Sequence, residues 1–335
     1  MDIEAARAVK QELVRSAVTA LGAEPADGGV ALVVGVRTYG GGRYGVAVRH
    51  DGGEGAAVAA RALEMAGDDA DVRDIGRVVA LTGPAGPELP EVPTGPVASP
   101  AAPGRWAAEA LQQRERPLRP GLSVAQAAVT AGTIGGFVLL DGDDRVHVLS
   151  NNHVLGDSDR AAVGSDVLQP GSADGGTAPD DVVGTLAVAV PLDPAGGNRV
   201  DAALARLAEG VEVDATYPVG AITTVAAADD GLVVEKVGRT TGLTRGVVTA
   251  IELDGVAVGF PGGVITFDDQ VEVTGDGGAF SAGGDSGSLV YDPATGAAVG
   301  LLFAGSERGG PEGTGLTFCN PVGAVLEALG ARLLG

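Results

Sequence analysis

Residues 145–155 read RVHVLSNNHVL, a strand pattern that carries two of the three histidines of the chain. Side chains of a β-strand point alternately to opposite faces, which places Val146 and Val148 on one face and His147 on the other. Apolar and β-branched residues at this spacing predict a half-buried strand that ends near residue 150. His147 is then most simply a side chain of the strand.

Strand patterns of the same kind recur on both sides of this stretch, over residues 121–335. Short apolar runs bounded by Gly, Asp or Pro include GTIGGFVLL, VGTLAVAV, RGVVTAIEL and ITFDDQVEV. Such runs are typical of antiparallel barrels or sandwiches, so we expect a mainly β fold. Its two halves would cover about residues 121–209 and 210–320, and helical periodicity predicts a C-terminal helix over residues 321–333.

Residues 1–82 follow a different pattern, in which helices and strands alternate. We expect a small α+β module with a regulatory or assembly role, since no cluster of His, Cys or acidic residues with ligand spacing occurs in it. The expected elements are a helix over Ile3–Leu21, strands over Val30–Arg37 and Tyr44–His50, a helix over Ala56–Ala66 and a strand over Asp71–Leu81.

Residues 83–120 are rich in proline, with segments such as PAGPELPEVPTGP. Proline at this density prevents regular structure, so an extended, semi-rigid linker is expected. Within it, a short helix over Arg105–Arg114 would surround the single tryptophan, Trp106.

The composition limits which partners the chain is expected to bind and which cell compartment it is expected to occupy. A formal net charge of −22 makes phosphate backbones repulsive, so nucleic acid is not expected to bind. The single cysteine, Cys319, allows no intramolecular disulfide, which favours a reducing compartment. The first residues lack the pattern of a signal peptide, and no run reaches 18 uninterrupted apolar residues. We therefore expect a cytoplasmic protein without membrane association.

The segment GGDSGS, residues 283–288, offers a candidate nucleophile in Ser286. A serine hydroxyl attacks well only when a base removes its proton and donors stabilise the oxyanion. Flanking glycines allow a sharp turn, so the backbone N–H groups of Gly284 and Ser286 can point into one space as an oxyanion hole. The plainer interpretation is a Gly-rich turn, since the chain holds 56 glycines.

His153 is the candidate base, because it follows the predicted strand where the chain leaves the sheet. Loops at strand ends commonly carry functional side chains. A histidine by itself is more often structural than catalytic, so its role depends on partners elsewhere in the chain.

Asp201 is the candidate orienting carboxylate, in the segment NRVDAALA. An acid among apolar neighbours at the start of a strand needs a partner, and an imidazole N–H would serve. The alternatives Asp180, Asp181, Asp193 and Asp214 lie beside prolines, further acids or turns, which is typical of solvated loops.

These three segments together resemble a known family. SNNHVL resembles the histidine motif of trypsin-like peptidases, VDAALA their aspartate segment and GGDSGSLV their nucleophile loop, in the order His, Asp, Ser. VGRTTGLTRG, GLLFAGS and FCNPVGAVLEAL resemble a narrower group, the intracellular bacterial trypsin-like proteins similar to the plant narrow-leaf serine peptidases. The resemblance covers residues 121–335.

The resemblance implies a chymotrypsin-like fold of two antiparallel six-stranded β-barrels, with the three side chains between them. It also implies a serine endopeptidase that works through an acyl-enzyme intermediate. Ser286 would be the nucleophile, His153 the base and Asp201 the carboxylate that orients the imidazole. Neither a metal nor an organic cofactor is required.

The resemblance further places Phe280 at the bottom of the primary pocket and Phe303-Ala304-Gly305 along its wall. No acid occupies the pocket floor, so we expect an apolar or small residue before the scissile bond. Asp285, just before the nucleophile, needs a cationic partner, and Arg239 or Arg245 are the candidates on spacing.

The expected partner is a protein or peptide substrate, and assembly into a homo-oligomer is compatible with the sequence. Two alternatives stay open at this point. One is a catalytically silent trypsin-like scaffold or binding module, since one fold hosts several functions. The other is an esterase that uses the same three groups.

Overall fold

The description of the fold rests on a computed structural model. It covers residues 1–21, 32–52, 55–81, 104–229 and 231–335. The expected strand start at residue 30 and residues 83–103 of the expected linker lie outside the described residues.

The N-terminal region forms the expected alternation of helices and strands. Helix α1 and strand β2 have the predicted bounds, while the strand expected over Asp71–Leu81 is two strands. The break falls at Gly76, which adopts a φ of 62° that favours glycine. The elements are α1 (Ile3–Leu21), β1 (Val33–Thr38), β2 (Tyr44–His50), α2 (Gly55–Ala66), β3 (Ala70–Asp74) and β4 (Val78–Ala80).

A first sheet follows, with the strand order β22-β7-β8-β11-β10-β9-β5-β6. Strands β6 and β7 follow each other in one chain segment. The first pairs with β5 and the second with β8, so this segment joins the two sides of the sheet and the sheet curves back on itself. Its elements are α3 (Ala108–Leu111), β5 (Ser123–Gln126), β6 (Gly132–Thr133), β7 (Gly136–Leu140), β8 (Asp143–Ser150), α4 (Asn152–Leu155), β9 (Asp166–Leu168), β10 (Val182–Ala189), β11 (Ala203–Leu207) and, from the C-terminus, β22 (Ala331–Leu333).

A small hairpin, β12 (Thr216–Tyr217) and β13 (Gly220–Ala221), leads to a second sheet. In it, β14, β15, β18, β21, β20 and β19 pair in a closed ring, which is a six-stranded barrel. The remaining elements are β14 (Val233–Gly238), β15 (Gly242–Asp254), β16 (Val256–Phe260), β17 (Gly263–Phe267), β18 (Gln270–Gly275), β19 (Leu289–Tyr291), β20 (Ala298–Gly309), β21 (Gly315–Pro321) and α5 (Val322–Leu329). The mainly β fold with a C-terminal helix confirms the predicted fold class.

The N-terminal strands join the second sheet directly. Strand β1 pairs antiparallel with the far half of β15, where Val36 lies opposite Ile251, and β2 and β3 extend the sheet outward. Strand β4 leaves this group and pairs with β20 and β16. The two regions therefore share one hydrophobic core, in which Val33 and Val78 lie with Phe303.

Residues 104–120, which the composition assigned to the linker, pack against the first sheet. Leu111 and Leu118 are fully buried in the same cluster as Val124 and Val148. Trp106 lies in a short 3₁₀ turn, Gly104–Trp106, and α3 follows it, in place of one helix.

The C-terminal helix is shorter than the periodicity predicted. It ends at Leu329 because Gly330 takes the left-handed conformation, with φ 59° and ψ 41°, which terminates helices. The following strand, β22, pairs with β7 and so ties the end of the chain to the first sheet. No helix among the described residues is long and apolar enough to cross a membrane.

Candidate active site

The register of two strands brings His153 and Asp201 together. Ala203, at the start of β11, lies opposite Ser150, at the end of β8. Residues just before β11 and just after β8 therefore meet at the same edge of the first sheet. His153 lies on the one-turn helix α4, which the buried side chains of Val154 and Leu155 anchor in the core.

The His153 imidazole donates from Nδ1 to Asp201 Oδ2 over 2.5 Å. The other carboxylate oxygen, Oδ1, accepts the backbone N–H of His153 over 3.1 Å. Both side chains are almost fully buried, at 1% and 0% exposure. A buried carboxylate that binds Nδ1–H fixes the tautomer of the ring, so that Nε2 is left as the proton acceptor.

Two asparagines that the sequence analysis did not single out hold Asp201 in place. Asn151 Nδ2 donates to the Asp201 carbonyl oxygen over 2.6 Å, and Asp201 N–H donates to Asn320 Oδ1 over 2.9 Å. Asn151 precedes α4, whereas Asn320 lies on β21 of the barrel. Asn151 belongs to the SNNHVL motif, but no local pattern indicates the role of Asn320, because 119 positions separate it from Asp201.

Ser286 lies in the loop between β18 and β19, and the first sheet supports this loop. Thr133, on β6, donates its N–H to the Ser286 carbonyl oxygen over 2.8 Å and its hydroxyl to the Gly284 carbonyl oxygen over 2.9 Å. Gly284 adopts a φ of 99°, where a side chain would be strained. The loop is thus fixed between the two sheets.

The Ser286 hydroxyl donates to the Phe303 carbonyl oxygen over 3.3 Å rather than to His153. Nε2 of His153 is buried and has no hydrogen-bond partner among the described residues. The structure thus joins the imidazole to Asp201 and leaves the expected contact between imidazole and hydroxyl unmade. A buried polar atom without a partner is costly, which marks Nε2 as a position prepared for another group.

The expected cation beside Asp285 was assigned wrongly. Lys236 Nζ lies 3.2 Å from Asp285 Oδ2, and both side chains are fully buried, whereas Arg239 pairs with Asp174 and Arg245 is exposed. Burial lowers the pKa of Lys236, and the charge of Asp285 opposes this shift only in part. Strand alternation could have indicated this lysine, because it shares the inward face of β14 with Val234.

The residues predicted for the pocket belong to the barrel and to its loop before Ser286. Phe280 is buried, and its carbonyl oxygen accepts the Thr244 hydroxyl over 2.7 Å. Phe303, Ala304 and Gly305 follow one another on β20, where Ala304 pairs with Ala80 and Gly305 with Val79 of β4. The N-terminal region therefore occupies the strand edge that the sequence assigned to the pocket wall.

The cleft that holds His153, Asp201 and Ser286 is closed to solvent in this conformation. His153 is 2% exposed, and Ser286 and Asp201 are fully buried. The ring of Phe260, on β16, meets the His153 ring edge-on at 5.8 Å between centroids. Leu81 accepts the Gly284 N–H at its carbonyl oxygen over 2.8 Å. One of the two predicted oxyanion donors is thus already engaged.

The other two histidines lie outside this site. His147 is a buried strand side chain as predicted, with Nδ1 at 2.9 Å from the Arg145 carbonyl oxygen, and burial lowers its pKa. His50 Nδ1 accepts the Gly52 N–H in the N-terminal region. Across the described residues, no group of three or more His, Cys, Asp or Glu is arranged to hold a metal ion.

Solved structures match about two-thirds of this chain. Thermobifida fusca protease A is 19% identical over 65% of this chain and 99% of its own, with a TM-score of 0.46. Cellulomonas bogoriensis chymotrypsin is 23% identical over 65% of this chain and 99% of its own, with a TM-score of 0.44. Nocardiopsis protease is 20% identical over 65% of this chain and 100% of its own, with a TM-score of 0.45. At these scores the fold assignment rests on the strand pairing above. No protein-family model and no curated protein matches the chain.

Proposed function

We propose that the chain is a serine endopeptidase that cleaves peptide bonds through an acyl-enzyme intermediate. Ser286 attacks the carbonyl carbon, His153 accepts its proton at Nε2 and later returns it to the leaving amine, and Asp201 orients the ring. The N–H groups of Gly284 and Ser286 stabilise the oxyanion, a contribution of about 3 kcal/mol per donor. No metal or organic cofactor takes part.

One observation carries this proposal: the buried pair of His153 and Asp201, with Nε2 left without a partner. A structural histidine usually satisfies both ring nitrogens, whereas a catalytic base needs one free for the nucleophile. The Ser286 hydroxyl has to leave the Phe303 carbonyl oxygen to reach it. Such hydrogen bonds are often formed only once a substrate is bound.

Labelling with a fluorophosphonate tests this proposal, because the reagent modifies only an activated serine. We expect one added group per chain, located on Ser286 by peptide mass mapping. Ser286→Ala should abolish the labelling. The matched control is Ser288→Ala in the same loop. The Ser288 hydroxyl donates to the Asp285 carbonyl oxygen over 2.6 Å, and the protein without it should still be labelled on Ser286.

A silent scaffold is the second candidate, and the direction of the Ser286 hydroxyl favours it. Under that alternative, no serine would be labelled at any pH at which the protein stays folded. An esterase would be labelled as well, so it is separated by comparing peptide and ester substrates that share the same acyl group. Cleavage of the ester alone would favour the esterase.

The narrower likeness, to intracellular bacterial trypsin-like proteins similar to the plant narrow-leaf serine peptidases, is part of the proposal, as is a cytoplasmic location. What supports the location is Cys319, a buried free thiol whose pKa is raised by burial. A buried thiol of this kind is inert, and the fold is held without disulfides.

The pocket residues, Phe280 and Phe303-Ala304-Gly305, support an apolar residue before the scissile bond.

A further inference from the structure

Strand β4 lies in the cleft as an added strand. It runs antiparallel to β20, with Val79 opposite Gly305 and Ala80 opposite Ala304, and parallel to β16 on its other side. Main-chain pairing with a sheet edge is a general way for a protein to hold an extended peptide without regard to most of its sequence. The main chain of residues 78–80 is therefore bound as a peptide ligand would be.

Leu81 continues this pairing up to the candidate nucleophile. Its N–H donates to the Phe303 carbonyl oxygen over 3.3 Å, and the Ser286 hydroxyl lies 3.3 Å from the same oxygen. Its own carbonyl oxygen accepts the Gly284 N–H over 2.8 Å. The carbonyl oxygen of Leu81 thus occupies one of the two predicted oxyanion donors, and the N–H of Leu81 shares the Phe303 carbonyl oxygen with the Ser286 hydroxyl.

The Leu81 side chain fills the candidate pocket. It is 6% exposed and belongs to the same buried cluster as Phe280, Val273 and Leu302. A Cβ atom at Gly305 would lie 3.1 Å from Leu81 Cδ2, so glycine at that position leaves the space that the leucine occupies. The segment is held by its side chain as well as by its backbone.

We infer that residues 78–81 bind the cleft as a substrate, and that the chain cleaves its own peptide bond after Leu81. This inference rests on the proposed function. Ser286 Oγ bonds to the Leu81 carbonyl carbon while its proton passes to His153 Nε2, and the bond to the nitrogen of Thr82 breaks as that amine takes the proton. Water then hydrolyses the ester, which frees a carboxylate on Leu81 and restores the Ser286 hydroxyl.

The same geometry names the substrate class and the fate of the two pieces. Peptides with leucine before the scissile bond should be preferred, because leucine is the side chain that the pocket already holds. The piece that ends at Leu81 should stay attached, since β1 pairs with β15 and the buried Arg49 guanidinium binds Glu272 over 2.7 and 2.9 Å. A competing peptide must displace Leu81 to enter the cleft.

Intact-mass measurement of the purified full chain over time tests this inference. We expect fragments 1–81 and 82–335 that elute together under native conditions and separate in denaturant. The rate should not depend on protein concentration, since the bond is held within the same molecule. Ser286→Ala should remain intact. Leu81→Met should still be cut after position 81, whereas Leu81→Asp should lose at least tenfold in cleavage rate, with thermal unfolding as the check on folding.

The outcomes separate the two proposals. A chain that is labelled at Ser286 and hydrolyses leucine peptides, yet keeps its bond after Leu81, overturns the self-cleavage and leaves the peptidase. A chain that is neither labelled nor cut overturns both. Cleavage after Leu81 in Ser286→Ala would assign the cut to another protease and overturn the inference, whatever the Leu81 variants do.

Discussion

In the proposed mechanism, Asp201 acts by fixing the tautomer of the His153 ring. Its carboxylate binds Nδ1–H of His153, so Nε2 is the nitrogen free to accept a proton. Asp201→Asn keeps the size of the side chain but can present an N–H to Nδ1, which favours the wrong tautomer. We expect kcat on a leucine peptide to fall about 10⁴-fold. The melting temperature shows whether the variant is folded, and a fall below tenfold in a folded variant would contradict the role of Asp201.

Lys236 and Asp285 form a buried ion pair that ties β14 to the loop of Ser286. Removing the lysine leaves the Asp285 carboxylate buried with hydrogen bonds but without a cation, and breaking a buried ion pair in this way typically costs up to about 3–5 kcal/mol. We therefore expect Lys236→Met to lower the free energy of unfolding by about that amount in urea titrations. The matched control is Arg245→Met, an exposed arginine on the next strand, for which a change within about 0.5 kcal/mol is expected. Equal effects of the two substitutions would contradict the assignment of Lys236.

At the scale of elements, a buried ion pair joins β2 to β18. Burial alone would raise the pKa of Glu272, but the charge and hydrogen bonds of Arg49 outweigh this and hold it below its ordinary value. A carboxyl group whose pKa is lowered by folding stabilises the protein fully above its unfolded pKa of about 4.5, and this contribution disappears as the pH falls through the folded pKa.

Glu272→Gln tests this link between the two elements. We expect a loss of at most about 3–5 kcal/mol in the free energy of unfolding at neutral pH, because Arg49 stays buried and keeps only Asp71 as an ionic partner. The difference between wild type and variant should shrink as the pH falls below about 4.5, because Glu272 of the unfolded wild type then binds a proton while the folded carboxylate stays ionised until its lower pKa is reached. Urea unfolding measured at several pH values gives both quantities. A difference that is constant across this range would contradict the role of the ionised pair.

Elements differ in how far the sequence predicts them. Periodicity gave α1 and β2 with their observed bounds, because each depends on its own residues and their burial. It joined β3 and β4 into one strand, since a single Gly76 does not reveal that the two halves pair with different partners. The three candidate catalytic residues stood out through local motifs.

Other contacts at the site depend on partners far away in the chain. Lys236 meets Asp285 across 49 positions, and Leu81 reaches Gly284 only through the fold. No periodicity within one segment encodes such a pairing, because it is decided by which sheet edges remain open. The filling of the cleft by β4 was therefore not predictable from the sequence.

At the scale of the whole molecule, the N-terminal region completes the hydrophobic core of the barrel. Side chains from residues 33–80 share one buried cluster with Leu253, Phe303 and Phe318. Removing several of them exposes apolar surface worth roughly 1.5–3 kcal/mol for each large side chain, against a total stability of about 5–15 kcal/mol for a typical domain. The two regions should thus be stable only together.

Deletion of residues 1–104 tests this dependence. We expect residues 105–335 alone to show no cooperative thermal unfolding or to aggregate, and co-expression with residues 1–104 to restore a folded complex. Full-length Ser286→Ala is the control, because it keeps every residue of the N-terminal region and cannot cut itself. A fragment that melts cooperatively near the temperature of this control would show that the barrel folds on its own.

The most direct test of the account is a pre-steady-state burst with the nitrophenyl ester of an acylated leucine. Covalent catalysis by Ser286 predicts a rapid release of nitrophenolate that approaches one equivalent per competent active site, followed by slower turnover. Ser286→Ala should show neither phase, while Ser288→Ala should show both. A burst that survives in Ser286→Ala, or hydrolysis of the ester by the wild type without any acyl group on Ser286, would rule out covalent catalysis by Ser286.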